Sequence, residues 1–251
     1  MEFFDVNLQI GRPSIRQFGA VSSVAELFQE LDGTGITRGV VWHIAQRECG
    51  ADAGNAMISD AIAGDDRAFG CWTILPPLTD ANVMTADFLD RMADDKIVAL
   101  RAFPDHQRFQ LSRATFGSFL DDVSERGIPL LMSFLYPMEW PIIYSLMKEY
   151  PKLTVVLCDL GLWGQDRQSW PLVENYPNVY LESSLVSLLA GGLETAVKTL
   201  GADRVIFGSG FPIHSPHAAV LDVLHAEISD MDKAKIAAGN LMKLIKKAAG
   251  K

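Results

Sequence analysis

Short apolar, β-branched runs alternate along this chain with segments whose apolar residues recur every three or four positions. The runs predict strands over Phe3–Leu8, Gly39–His43, Ala68–Leu75, Ile97–Phe103, Pro129–Phe134, Thr154–Cys158, Val179–Glu182 and Val205–Phe207. Several, such as Leu153-Thr154-Val155-Val156-Leu157, are apolar without alternation. That pattern suits parallel strands covered on both faces.

Helical segments fall between the strands. Ser23-Val24-Ala25-Glu26 has capping-box spacing and opens a helix toward Leu31. Further helices are predicted over Ala53–Ala63, Thr85–Met92, Ala114–Glu125, Trp140–Glu149, Trp170–Tyr176 and Leu188–Leu200. Phe116, Phe119, Leu120 and Val123 share one helical face. Gly127-Ile128-Pro129, Tyr150-Pro151-Lys152, Tyr176-Pro177-Asn178 and Gly201-Ala202-Asp203 punctuate helix and strand.

About eight strand–helix units are what a (β/α)8 barrel requires. A doubly wound open sheet would place a Gly-rich phosphate turn after its first strand. Ile10-Gly11-Arg12-Pro13 stands there instead. With no linker and no break in composition, residues 1–251 are expected to form one barrel domain. The tail from Asp230 to Lys251 is expected to add one or two helices, with Lys243, Lys246 and Lys247 where a helix C-terminus favours cations.

The chain has 251 residues, 49% hydrophobic and 21% charged, so its core can be large. A formal net charge of −9 argues against nucleic acid and an anionic membrane surface as partners. It leaves open a small anionic ligand held by a local arginine. The three cysteines, Cys49, Cys71 and Cys158, have neither CxxC nor metal-ligand spacing. They fit a reducing cytoplasm rather than a disulfide framework. The opening residues lack a signal-peptide pattern, and no apolar run reaches the roughly 18 residues that span a bilayer.

In such a barrel the reactive groups sit at the C-terminal strand ends. Read in order, those ends offer Asn7 and Gln9, spaced to point the same way, then His43 with Gln46 and Arg47, then Trp72 and Thr73. Next come Arg101 with Asp105 and His106, Ser133 with Tyr136, Asp159, Glu182 with Ser183 and Ser184, and Ser209 with His214. Each histidine has a plain reading as a hydrogen-bonded structural group; His217 and His225 fall on a helix and take that reading. Arg101 interrupts an apolar strand. Either it pairs with Asp159 or Glu182, or it faces the cavity and holds an anionic substrate group, since an unpaired buried charge is costly. Trp42, Trp72, Phe103, Phe109, Phe134, Tyr136, Trp163 and Phe211 crowd the expected mouth as core, lid or pocket lining.

Five stretches together resemble the amidohydrolase-related family of metal-dependent TIM-barrel hydrolases and decarboxylases. They are Phe4-Asp5-Val6-Asn7-Leu8-Gln9-Ile10-Gly11, Arg126 to Leu131, Tyr150-Pro151 through Val156-Leu157-Cys158-Asp159-Leu160-Gly161, Phe207-Gly208-Ser209-Gly210-Phe211-Pro212 and Gly239-Asn240-Leu241. The resemblance implies a divalent metal held by His-x-His on the first strand, a His ending the fifth, a His ending the sixth and an Asp ending the eighth. Those positions fall here on Asn7 and Gln9, on Ser133 or its neighbour, on Asp159 and on Gly210. Amides are weak zinc ligands and glycine offers none. A family-type metal site is therefore not expected, and no cofactor is expected in its place.

The resemblance leads to an enzyme acting on a small, anionic molecule by hydrolysis or decarboxylation. Asp159 would be the acid or base, assisted by His43 and His106. Arg101 would hold an anion, and Asn7, Gln9, Ser133, Glu182, Ser209 and His214 would bind substrate. The alternative is a non-catalytic binding or regulatory barrel, because fold alone does not imply function. A third reading is a subunit of a larger assembly, a homo-oligomer included, with Phe134 to Trp140 as either contact surface or lid.

Overall fold

Eight parallel strands follow one another around one sheet in chain order: β1 (Phe3–Ile10), β2 (Ile36–His43), β3 (Ala68–Thr73), β4 (Ile97–Arg101), β5 (Leu130–Ser133), β6 (Val155–Cys158), β7 (Val179–Glu182) and β8 (Val205–Ile206). The computed structural model describes residues 1–76, 84, 87–136, 138–161, 167–185 and 191–249. The last strand meets the first through Val6 N–H to Phe207 O and Gln9 N–H to Phe211 O, each 3.0 Å. A parallel bridge between Leu8 and Phe211 completes the seam. The fold is a TIM barrel with added C-terminal helices.

Helices separate the strands: α1 (Val24–Leu31), α2 (Ala45–Glu48), α3 (Ala51–Ile62), α4 (Phe88–Asp94), α5 (Arg113–Phe116), α6 (Phe119–Arg126), α7 (Trp140–Glu149), α8 (Ser169–Asn175) and α9 (Gly192–Leu200). Beyond β8 lie α10 (Pro216–His225), α11 (Asp230–Ala234), a π-turn over Lys235–Gly239 and α12 (Asn240–Ala248). Ser23 caps α1 by accepting from Glu26 N at 3.1 Å, as the sequence spacing predicts, while Glu26 reaches back one residue further, to Ser22 N. The helix expected over Ala114–Glu125 is two helices. Gly117 takes φ +54 between Phe116 and Phe119, which breaks a face that reads as continuous in sequence. Of the expected helix starts, Thr85 and Leu188 lie outside the described residues, as does Trp163.

Two layers of apolar side chains result. Leu8, Val41, Leu100, Met132, Leu157, Leu181 and Phe207 pack outward under the helices. Phe4, Val6, Val40, Cys71, Ala99, Leu131, Val156 and Ile206 pack inward with Leu241 and Leu244 of α12. The tail thus buries apolar residues against the barrel interior, each worth about 1.5–3 kcal/mol. The β1–β2 ladder slips between Asp5 and Leu8. The slip lets β1 turn inward first the apolar Phe4 and Val6, then the amides of Asn7 and Gln9. Among the described residues no helix is long and apolar enough to cross a membrane.

Candidate functional site

Asp159, one residue beyond β6, is buried and takes φ +55. A non-glycine residue held in the left-handed region costs about 1–3 kcal/mol and must be fixed by its surroundings. Three groups fix it. Nδ2 of Asn7 donates to its Oδ1 at 2.8 Å, Oγ of Ser133 donates to its Oδ2, and its own N–H donates to Oε2 of Glu182 at 2.9 Å. Groups from β1, β5 and β7 therefore meet at one residue beyond β6, the first two at its carboxylate and the third at its backbone N–H.

Arg101, at the end of β4, is 1% exposed. Its Nη2 donates to Oδ1 of Asn7 at 2.8 Å, and its guanidinium lies 4.8 Å from the Trp42 ring centre. Its Nε is buried without a hydrogen-bond partner among the described residues. Among those residues it has no carboxylate within 4.0 Å. Of the two arrangements open in the sequence, direct pairing with Asp159 or Glu182 is not the one found. The Asn7 amide stands between cation and carboxylate. Burial works against the Arg101 charge, yet the neighbouring Cys158, Cys71, Asp159 and Tyr136 hold its pKa above the usual value.

Behind Asp159 lies a second carboxylate. Glu182 is fully buried and accepts from Ser184 N at 2.7 Å and pairs with Ser184 Oγ at 2.8 Å. Burial first, and the Asp159 charge second, push its pKa up to about 8. Asp5 is a third, fully buried and accepting from Asn7 N at 2.8 Å and Ser209 N at 3.0 Å. Burial raises its pKa to about 6. Asp5 ties β1 to the corner after β8. Ser209 is fully buried at that corner, its N–H on Asp5 and its Oγ accepting from Phe211 N, so it supports the site from below.

The mouth is a cavity of about 90 Å³ lined by Arg47, Phe103, Asp105, His106, Ser133 and Tyr136. Tyr136 lies edge-on to Trp42 and Phe103, under the Arg47 guanidinium 4.3 Å from its ring centre. Its hydroxyl reaches Oε1 of Gln9 at 3.4 Å. Burial raises its pKa. After β5, Tyr136 and Met138 line the mouth, and the Phe134 and Trp140 rings pack tilted with centres 4.6 Å apart; Pro137 lies outside the described residues.

The remaining expected residues are spread around this centre. His43 accepts from Ala45 N at its Nδ1, 3.0 Å, and burial lowers its pKa, leaving a neutral imidazole. His106 is exposed at the cavity rim. No hydrogen bond joins either to Asp159 among the described residues. His214 is half-buried, with its Nε2 buried and without a partner among those residues. It stands beside Gly210: a Cβ there would lie 2.7 Å from His214 Cδ2 and 3.0 Å from Asp159 Oδ1. Trp72 does not reach the rim. It faces the helix layer, donating to Ser59 Oγ at 3.0 Å and packing on Phe88. Arg47, in sequence a neighbour of His43, and Tyr136, in sequence a neighbour of Ser133 and one of the expected mouth aromatics, both line the cavity.

The donor set does not fit a family-type metal. Asn7 is committed to Arg101 and Asp159, and the space at Gly210 is taken by His214 and Asp159. Among the described residues no three His, Cys, Asp or Glu side chains are grouped to hold an ion.

The fold recurs in known structures. A 2,6-dihydroxybenzoate decarboxylase from Rhizobium has a TM-score of 0.76 and 15% identity, covering 98% of this chain and 99% of its own. A dihydroxybenzoic acid decarboxylase from Polaromonas, with bound manganese and the inhibitor 2-nitroresorcinol, has a TM-score of 0.76 and 14% identity, covering 98% and 97%. An uncharacterized TIM-barrel protein from Bordetella bronchiseptica has a TM-score of 0.75 and 19% identity, covering 99% and 100%. Among proteins of curated function, none matches this sequence. The amidohydrolase family profile matches residues 20–246, from the segment before α1 to within α12. With that span, and with the barrel and its polar strand ends, the chain belongs to the amidohydrolase family.

Proposed function

We propose that this chain is an enzyme acting on a small anionic molecule by acid–base chemistry, hydrolysis or decarboxylation, without a family-type metal chelate. The observation that carries the proposal is the Arg101–Asn7–Asp159–Ser133 network at the strand ends where the family metal would be held. Asp159 is the acid–base group. Its strained backbone and converging donors match how catalytic groups are held. Arg101 supplies the fixed positive charge. Asn7 and Gln9 orient the centre, Glu182 and Ser209 support it, and His43, His106 and His214 surround it as hydrogen-bonding groups. Arg47 and Tyr136 form the approach. One barrel domain over residues 1–251, acting in the cytoplasm and alone or as a homo-oligomer, completes the proposal.

A panel of small esters, lactones and aromatic carboxylates, assayed with wild type and Asp159→Asn, tests it. A turned-over substrate lost in Asp159→Asn by about 100-fold or more supports the acid–base role. Undiminished turnover in that variant overturns it. The second reading, a binding barrel, draws on the small cavity and the burial of Arg101 and Asp159. Saturable binding of a panel member with no turnover selects it.

A further inference from the structure

Ser133 occupies an unusual position. It ends β5, is 4% exposed, and lines the 90 Å³ cavity. Its hydroxyl donates to Oδ2 of Asp159. Leu135 N–H points at its Oγ from 3.3 Å. Asp159 is in turn oriented by Asn7 at 2.8 Å through its other oxygen. A hydroxyl hydrogen-bonded to a base, with the base held by a third group, is the arrangement that makes a nucleophile. No metal-bound water is needed in such a scheme.

Resting on the acid–base role given above to Asp159, we propose that Ser133 is a covalent nucleophile toward esters with a short acyl group. Oγ bonds to the ester carbonyl carbon as Asp159 Oδ2 takes the hydroxyl proton. The carbon–oxygen bond to the alcohol then breaks, and the departing alcohol takes that proton from Asp159. Water next attacks the acyl-serine and passes a proton to Asp159. The Oγ–carbon bond breaks, Oγ recovers the proton, and a carboxylic acid is released. Arg47, whose buried Nε lacks a partner among the described residues, and Tyr136 line the same cavity as Ser133. Arg47 lies 3.5 Å from Glu48 and the Tyr136 hydroxyl 3.4 Å from Gln9, so each would turn from that partner to donate to the carbonyl oxygen. The cavity limits the acyl group to a few heavy atoms, and Arg47 favours one that carries a carboxylate.

The test uses the full chain and an alkyl fluorophosphonate, read by intact mass and by peptide mapping. The expected result is a single adduct on Ser133, formed as an Oγ–phosphorus bond replaces the phosphorus–fluorine bond and fluoride leaves. Asp159→Asn should slow labelling by about 100-fold or more, and p-nitrophenyl acetate should give a burst approaching one product per chain. Because the wild-type protein is labelled and mapped, the result does not depend on any variant folding. No adduct, or an adduct on another residue, overturns the proposal. Should Asp159→Asn abolish turnover of a panel substrate that Ser133→Ala still processes, the acid–base reading stands and the nucleophile falls. Should Asp159→Asn turn over and label as wild type does, both fall.

Discussion

Nη2 of Arg101 meets Oδ1 of Asn7 at 2.8 Å, and the other end of that amide meets Asp159 at the same distance. A neutral side chain thus links a buried cation to a buried anion. Direct ion pairs inside proteins require full desolvation of both charges and gain little net stability. The amide satisfies one donor and one acceptor, while Arg101 Nε stays buried without a hydrogen-bond partner among the described residues.

Asn7→Leu keeps the bulk and deletes both bonds. Each abandoned charged group costs about 1–3 kcal/mol, so a loss on the order of 3 kcal/mol is expected in urea denaturation. Combined with Arg101→Met, the two substitutions should cost clearly less than their sum, because they share one interaction. Strict additivity would show that the link does not stabilise the fold.

Restoring the family's carboxylate at the eighth strand should fail. Gly210 takes φ +65, which costs a residue with a side chain about 1–2 kcal/mol. The new Cβ would press on His214 and place a like charge beside Asp159. Gly210→Asp is expected to lower stability by on the order of 2–3 kcal/mol. It should also leave zinc and manganese content, measured by elemental analysis, at the wild-type level. A variant that gains one metal per chain without loss of stability would show the space to be open.

Much of this was legible in the sequence because burial on both faces writes itself as unbroken apolar runs, such as Val155-Val156-Leu157 and Leu130-Leu131-Met132. Asp159 and Arg101 stand out as polar interruptions at the ends of such runs. What joins them is not local. Asn7 lies 94 residues from Arg101 and 152 from Asp159, so no spacing rule connects the three. The meaning of Gly210 depends on where His214 turns, and that of Arg47 on Tyr136 stacking beneath it. The break at Gly117 was hidden by an apolar face that spans both short helices.

The buried carboxylates predict a pH dependence of stability with a definite sign. Glu182 titrates near 8 in the folded protein and near 4.5 when exposed, and Asp5 near 6 against 3.8. Between those values the folded chain holds protons that the unfolded chain has released. Stability is therefore fully supported below the unfolded values and falls as pH rises through the folded ones. His43 acts the other way: its lowered pKa means the unfolded chain gains a proton first as pH drops below 6.5. From pH 6.5 to 8, only the Glu182 effect operates fully. Unfolding free energy should fall across that window by up to about 1.4 kcal/mol per pH unit. Glu182→Gln loses the acceptor facing Asp159 N–H and starts less stable, but its profile over the same window should be flat. Urea denaturation of both proteins at pH 6.5, 7.25 and 8 decides the matter. Equal slopes in the two would mean that Glu182 is ionised in the folded barrel and that Asp159 lies against a second negative charge.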